Sequence, residues 1–149
     1  MSIYYMGTAK ELPQEMKSEL ESFIRQGIPV FSANGMEKCH TVTLGTSRQD
    51  GIRLTVINLL KGSGLQEVFM QCNRQSQKAR NLLADGKAEV AITNGMGYGV
   101  LECTGEVMDD VQLKTEKWEE WMTQYHPQGP AAPDYAILRF VPHGIRAAL

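Results

Sequence analysis

Phe69-Met70-Gln71-Cys72-Asn73-Arg74-Gln75-Ser76-Gln77-Lys78-Ala79-Arg80-Asn81-Leu82 joins an apolar strand end to a turn, and the turn to a helix with basic residues in its first turns. A helix start carries unpaired backbone N–H groups and the positive end of the helix dipole. Ser76 and Lys78 add a hydroxyl and an ammonium beside them, which together make a seat for a phosphate. The competing reading is a solvated basic helix behind a polar cap, a common arrangement. The rest of the chain has to decide between them.

The chain has 149 residues, 42% apolar and 21% charged, with a net charge of −2. That length suits one domain, residues 1–149, with a substantial core. The charge lacks the basic excess expected of a nucleic-acid or membrane-surface protein. No apolar run approaches a membrane span, and Met1-Ser2-Ile3-Tyr4-Tyr5-Met6 does not read as a signal peptide. The three cysteines, Cys39, Cys72 and Cys103, are odd in number and far apart. Neither they nor His40, His126 and His143 show metal-ligand spacing. Free thiols in a reducing cytoplasm are expected, with no metal, no nucleic-acid partner and no membrane partner. Cys39 and His40 adjoin, but neighbours on a strand point to opposite faces and make a poor nucleophile–base pair.

Leu12–Gln26 reads as a helix. Met16, Leu20, Phe23 and Ile24 share one face, Pro13 suits an early helical position, and Gly27 and Pro29 stop it. Strands are expected at 28–33, 39–46, 52–60 and 67–72, separated by Asn34-Gly35, by Arg48-Gln49-Asp50-Gly51 and by Lys61-Gly62-Ser63-Gly64. A helix over 76–84 follows, then strands at 88–93 and 99–108 around Asn94-Gly95. Asp109 or Asp110 caps a second long helix, about 110–125, on which Trp118, Trp121, Met122 and Tyr125 recur at helical spacing as core or interface. The stretch 126–134 holds three prolines and a glycine and reads as an ordered loop, followed by a strand at 135–141 that 145–149 extends. Hairpins outnumber helices and no βαβ alternation occurs. The fold expected is mainly β with peripheral helices (α+β), a small antiparallel barrel.

Lys61-Gly62-Ser63-Gly64 is too short for a nucleotide P-loop, and Gly95-Met96-Gly97-Tyr98-Gly99 lies between strands where a dinucleotide fingerprint would open a helix. Both read as turns. No Ser-His-Asp or paired-carboxylate arrangement stands out, so if the chain is an enzyme a bound cofactor is expected to supply the chemistry.

Taken together, the order of hairpin, strand, Cys72–Lys78 turn, helix and two further strands resembles the pyridoxamine 5'-phosphate oxidase-like superfamily over roughly Gly27 to Val141. The segment Trp118, Trp121, Tyr125-His126-Pro127, Gly129-Pro130, Pro133-Asp134-Tyr135 and Leu138-Arg139-Phe140 is similar to its general stress protein branch. The resemblance implies a cytoplasmic homodimeric split barrel, with flavin mononucleotide (FMN) at the subunit interface and flavin-mediated oxidoreduction of a small substrate. The alternative on the same fold is a non-enzymatic stress-response module that binds a flavin, a modified flavin such as a deazaflavin, another anion, or only a protein.

Matched position by position, the family's Tyr-Thr-Asn-x-x-Ser-Arg-Lys turn falls on Gln71 to Lys78, with Asn73, Ser76 and Lys78 retained and Gln77 in place of arginine. Its strand motif of arginine, apolar residues and lysine falls on Val56 to Lys61, with Lys61 retained and Val56 in place of arginine. The resemblance therefore implies that Lys61, Ser76 and Lys78 hold the phosphate, that Val56, Ile57 and Asn58 run along the flavin ring, and that Gln71 and Cys72 lie close to it. The partner subunit is expected to bring its Trp118–Tyr125 helix or the loop after it. Charge-assisted hydrogen bonds contribute roughly 1.5–3 kcal/mol each. Two lost arginines therefore weaken phosphate binding by about two to four decades unless Arg53 or Arg74 substitutes. The oxidase's C-terminal Arg-Leu-x-Pro is replaced by Ile145-Arg146-Ala147-Ala148-Leu149, which argues against pyridoxamine phosphate oxidase activity itself.

Overall fold

The computed structural model describes residues 3–149. The elements in order are β1 (Tyr4–Thr8), α1 (Gln14–Gln26), β2 (Val30–Ser32), β3 (Gly35–Lys38), β4 (Val42–Arg48) and β5 (Gly51–Ile57). They continue as β6 (Val68–Asn73), α2 (Gln77–Ala84), β7 (Lys87–Thr93), β8 (Tyr98–Met108), α3 (Val111–Glu116), a 3-10 turn (Glu120–Gln124) and β9 (Tyr135–Ala148).

The main sheet is antiparallel throughout, with strand order β1-β9-β8-β7-β4-β5, and β6 added to β9. β9 organises it. One edge of β9 pairs with β8 along nearly its whole length, while the other edge takes β6 over Tyr135–Phe140 and β1 over Gly144–Ala148. The β8–β9 register shifts between Glu102 and Cys103, a bulge of the kind that bends a strand so that its two halves serve different neighbours. The sheet curls without closing, which makes it an antiparallel split barrel with helices at its periphery. β2 and β3 form a separate hairpin.

Periodicity explains the core. On α1 the predicted face Met16, Leu20, Phe23 and Ile24 is the buried one. β7 alternates strictly, with Ala88, Val90 and Ile92 inward. β6 is covered on both sides. Val68, Met70 and Cys72 join the large core formed with α1, α2 and β9, while Phe69 joins a smaller cluster with Leu60, Met122, Tyr135 and Ile137.

Three expectations need correction. The 110–125 helix is broken: α3 stops at Glu116, and Glu119 is extended (φ −136°, ψ 150°) before the 3-10 turn begins. The break lets Trp118 meet the Tyr135 ring edge-on at 5.5 Å and lets Met122 enter the small cluster. The last strand runs unbroken to Ala148, and Tyr4–Thr8 forms an unforeseen strand against it. The 52–60 strand ends at Ile57, after which Leu59 and Leu60 turn into the interior.

Candidate functional site

β5 is the sheet's edge strand, so alternate backbone N–H and C=O groups along it face away from β4 unpaired. Across from its end stands β6. A cleft of about 370 Å³ lies here, bordered by Thr55, Val56, Ile57 and Asn58 on one side and Gln71, Cys72 and Asn73 on the other. Lys78 from the first turn of α2 borders it too, as do Trp121 from the 3-10 turn and Tyr125 and His126, the two residues after it. Lys78 is the single lysine or arginine among the described residues that line it. Trp121 stacks on Phe31 of the β2–β3 hairpin (6.0 Å, 17°) and meets Tyr125 edge-on, forming an aromatic flank.

A hydrogen-bonded chain backs the cleft. The Gln75 N–H donates to Asn73 Oδ1 (2.8 Å), which turns Asn73 Nδ2 toward Asp134 Oδ2 (3.4 Å). Asp134 Oδ1 faces His126 Nδ1 (3.4 Å), and His126 Nε2 faces Gln71 Oε1 (2.9 Å). His126 is 1% exposed and lies against the Tyr135 ring. Asn58 donates to Cys39 Sγ (2.6 Å), tying the end of β5 to the loop after β3. Burial pushes the Cys72 thiol up to about 11, although Lys78, Ser76 and Arg74 pull the other way, so it is a neutral thiol at pH 7 and a poor nucleophile.

Seven of the ten residues singled out from the sequence thus border one cleft: Val56, Ile57, Asn58, Gln71, Cys72, Asn73 and Lys78. Lys61, Ser76 and Gln77 do not. Because the chain dives inward at Leu59 and Leu60, Lys61 emerges on the far side of the turn, its Nζ 3.5 Å from the Trp118 carbonyl. Ser76 Oγ caps α2 by accepting from the Ala79 N–H (3.4 Å). Gln77 donates to Asn81 Oδ1 and accepts from Arg80. Neither proposed substitute arginine reaches the cleft. Arg53 is exposed on β5, and Arg74 pairs with Asp109 beside a neighbouring cleft. Lys114 (2.9 Å) and then Arg74 hold the Asp109 carboxyl below the usual carboxylate range.

Thr55 carries no expectation from the sequence, and the Trp118–Tyr125 helix or the loop after it, 126–134, is expected from the partner subunit, with neither His126 nor Asp134 singled out in that loop. The chain itself brings these aromatics to its own cleft. The only sequence signal for them was the Trp118–Tyr135 segment quoted for the general stress protein resemblance. No spacing rule flags a histidine that is buried by a distant strand. Among the described residues, no group of three His, Cys, Asp or Glu side chains is placed to hold a metal, and no helix is long and apolar enough to cross a membrane.

Comparison with known proteins bears on the family and the fold. The family model described as pyridoxamine 5'-phosphate oxidase matches residues 32–148. General Stress Protein 26 from Bacillus anthracis is a similar solved structure, with TM-score 0.72 and 18% identity, covering 91% of this chain and 98% of that one. A general stress protein 26-related protein of the pyridoxinephosphate oxidase family from Clostridium acetobutylicum superposes with TM-score 0.70 at 21% identity, covering 88% and 86%. An F420 reductase matches with TM-score 0.58 at 15% identity, covering 84% and 94%. No curated protein sequence matches.

Proposed function

The chain belongs to the pyridoxamine 5'-phosphate oxidase family, and from that premise we infer that its β5–β6 cleft binds FMN and that the protein is a flavoprotein acting on a small substrate. One observation carries this reading: an unpaired edge-strand backbone at Thr55–Ile57 faces a polar rim of Gln71, Asn73 and Lys78 beside the Trp121–Tyr125 flank. A flat ring with a polar edge needs that combination of main-chain donors and acceptors with an aromatic side. Lys78 would take the phosphate together with the unpaired amides at the start of α2. When bound, the flavin supplies the hydride or electron transfer. The chain's own residues orient the ring through the β5 backbone and Gln71, and Trp121 and Tyr125 exclude water from one side.

The non-enzymatic reading is favoured by a different observation. Among the described residues Lys78 stands alone as the phosphate's cation, since Arg74 is committed to Asp109. Titration of the purified protein with FMN separates the outcomes. A bound flavin with a shifted absorbance band that nicotinamide donors reduce supports the enzyme. A bound flavin that no donor reduces supports the module. No binding in calorimetry removes both flavin readings.

A homodimer fits the outer face of the sheet. Ile52, Leu54 and Val56 stand side by side on edge strand β5, 77%, 70% and 68% exposed. Ile52 and Leu54 continue into an open groove of about 750 Å³ over Ala91, Val100 and Cys103. Leu54→Arg is expected to convert the dimer to monomer in sedimentation velocity. A wild-type protein that sediments as a monomer rejects the assignment. Three free cysteines suit a reducing cytoplasm, the compartment we assign.

A further inference from the structure

The polar chain behind the cleft has a direction, and its last member faces the ligand site. The start is fixed, because a backbone N–H can only donate. Gln75 therefore sets Asn73 Oδ1 as acceptor, and Asn73 Nδ2 points at Asp134 Oδ2. Asp134 Oδ1 is left to accept from His126 Nδ1. On the other side of the ring, Gln71 Oε1 lies 2.9 Å from Nε2. An amide oxygen also only accepts, so a ring that satisfies both neighbours carries a proton on each nitrogen. In that state the Gln71 NH₂ is free of the ring and faces the cleft.

The neutral ring has one N–H. The carboxylate takes it at Nδ1, as the stronger, charge-assisted acceptor. Nε2 is then a lone pair opposite an amide oxygen, and the conflict is relieved when the Gln71 amide turns over. Its NH₂ now donates to Nε2 and its carbonyl faces the cleft. Oxygen and NH₂ are nearly the same size, so the turn needs no repacking.

The geometry points to Gln71 as the specificity-determining residue of the cleft, offering its ligand a hydrogen-bond donor when His126 is protonated and an acceptor when it is neutral. The ligand class that senses this is a planar heteroaromatic ring whose edge carries both carbonyl and N–H groups, so the inference rests on the ligand site proposed above. Asp134 also borders the neighbouring cleft with Pro127 and Gln128, and its side chain is 45% exposed. The ring can therefore exchange its proton on that side without opening the ligand cleft. The titratable groups around His126 are Asp134 at Nδ1, Tyr135 against the ring, Tyr125 on the preceding residue, and Cys72 and Lys78 along the same cleft; Asp134 alone is in hydrogen-bonding reach.

The test starts on the protein without ligand, which separates it from the flavin reading. Nitrogen-15 NMR follows the His126 ring nitrogens and the Gln71 side-chain amide through a pH titration. The Gln71 NH₂ resonances are expected to shift with the His126 midpoint, and to lose that shift in His126→Asn. An amide that stays still while the ring titrates overturns the proposal, and so does a ring that does not titrate. If His126→Asn fails to fold, Asp134→Asn replaces it, and both midpoints must then move together. With FMN as probe, affinity should change up to about tenfold across the midpoint, the scale of one hydrogen bond, and the dependence should vanish in Gln71→Leu. Flat FMN affinity overturns the specificity role. An amide that follows the ring in a protein with no FMN affinity supports the amide switch and rejects the flavin reading alone.

Discussion

Phe140→Ala should lower folding stability by about 3–5 kcal/mol, the usual range for deleting a buried phenyl ring. A domain is typically stable by only about 5–15 kcal/mol, so this change alone brings the protein near its threshold. Phe140 is fully buried on β9, opposite Val68 of β6 and Gly105 of β8. The ring occupies the space above Gly105. A Cβ added there would lie 2.7 Å from Phe140 and 3.0 Å from Leu82 of α2. With no side chain at Gly105 to move into the void, the site collapses poorly, and the cost belongs at the upper end of the range. Phe140→Leu, which refills most of the volume, should cost much less. Urea unfolding at one fixed protein concentration measures both, which holds any self-association equal between the variants. A loss below about 1 kcal/mol for the alanine variant would show that α2 closes onto β9 and that the glycine contact is not rigid.

That contact illustrates which parts of the fold the sequence discloses. Features encoded by neighbours along the chain are legible: the apolar face of α1, the helix start at Ser76, the β7 strand and the Asn94-Gly95 turn all follow from local periodicity and turn chemistry. Features that depend on partners far along the chain were not. Tyr4–Thr8 becomes a strand because the C-terminal half of β9 offers it an edge, and nothing within those residues requires it. The aromatic spacing at Trp118, Trp121, Met122 and Tyr125 suits a helix, yet Trp118 and Met122 gain more by entering the cluster around Tyr135 than the helix gains by continuing.

The cleft divides along the same line. Strand residues Val56, Ile57, Gln71 and Cys72, grouped from the sequence, line one cleft because a hairpin and a β-turn-α unit fix their positions. Lys61 lies apart from them because its direction depends on two leucines before it that the core captures. His126 and Asp134 are not singled out by the sequence because their position is set by the packing of a proline-rich loop on β6 and β9, which no local pattern reports.

Lys78→Ala should weaken FMN binding by about tenfold to somewhat over a hundredfold, the equivalent of the roughly 1.5–3 kcal/mol of one charge-assisted hydrogen bond. The size follows from its isolation. Gln77 and Val56 stand where related oxidases have arginines, and Arg74 is held by Asp109, so among the described residues no second cation at the cleft compensates. Two controls make the result specific. Riboflavin, which lacks the phosphate, should bind wild type and Lys78→Ala equally; an equal loss for both ligands would place Lys78 at the ring. Lys61→Ala should leave FMN affinity unchanged, since that ammonium sits against the Trp118 carbonyl outside the cleft. The contrast between FMN and riboflavin should also shrink as salt is raised, because Lys78 is only half-buried and its attraction is screened. A Lys78→Ala protein with unchanged FMN affinity would leave the start of α2 with no phosphate to hold, and the solvated-helix reading of Asn73–Lys78 would stand.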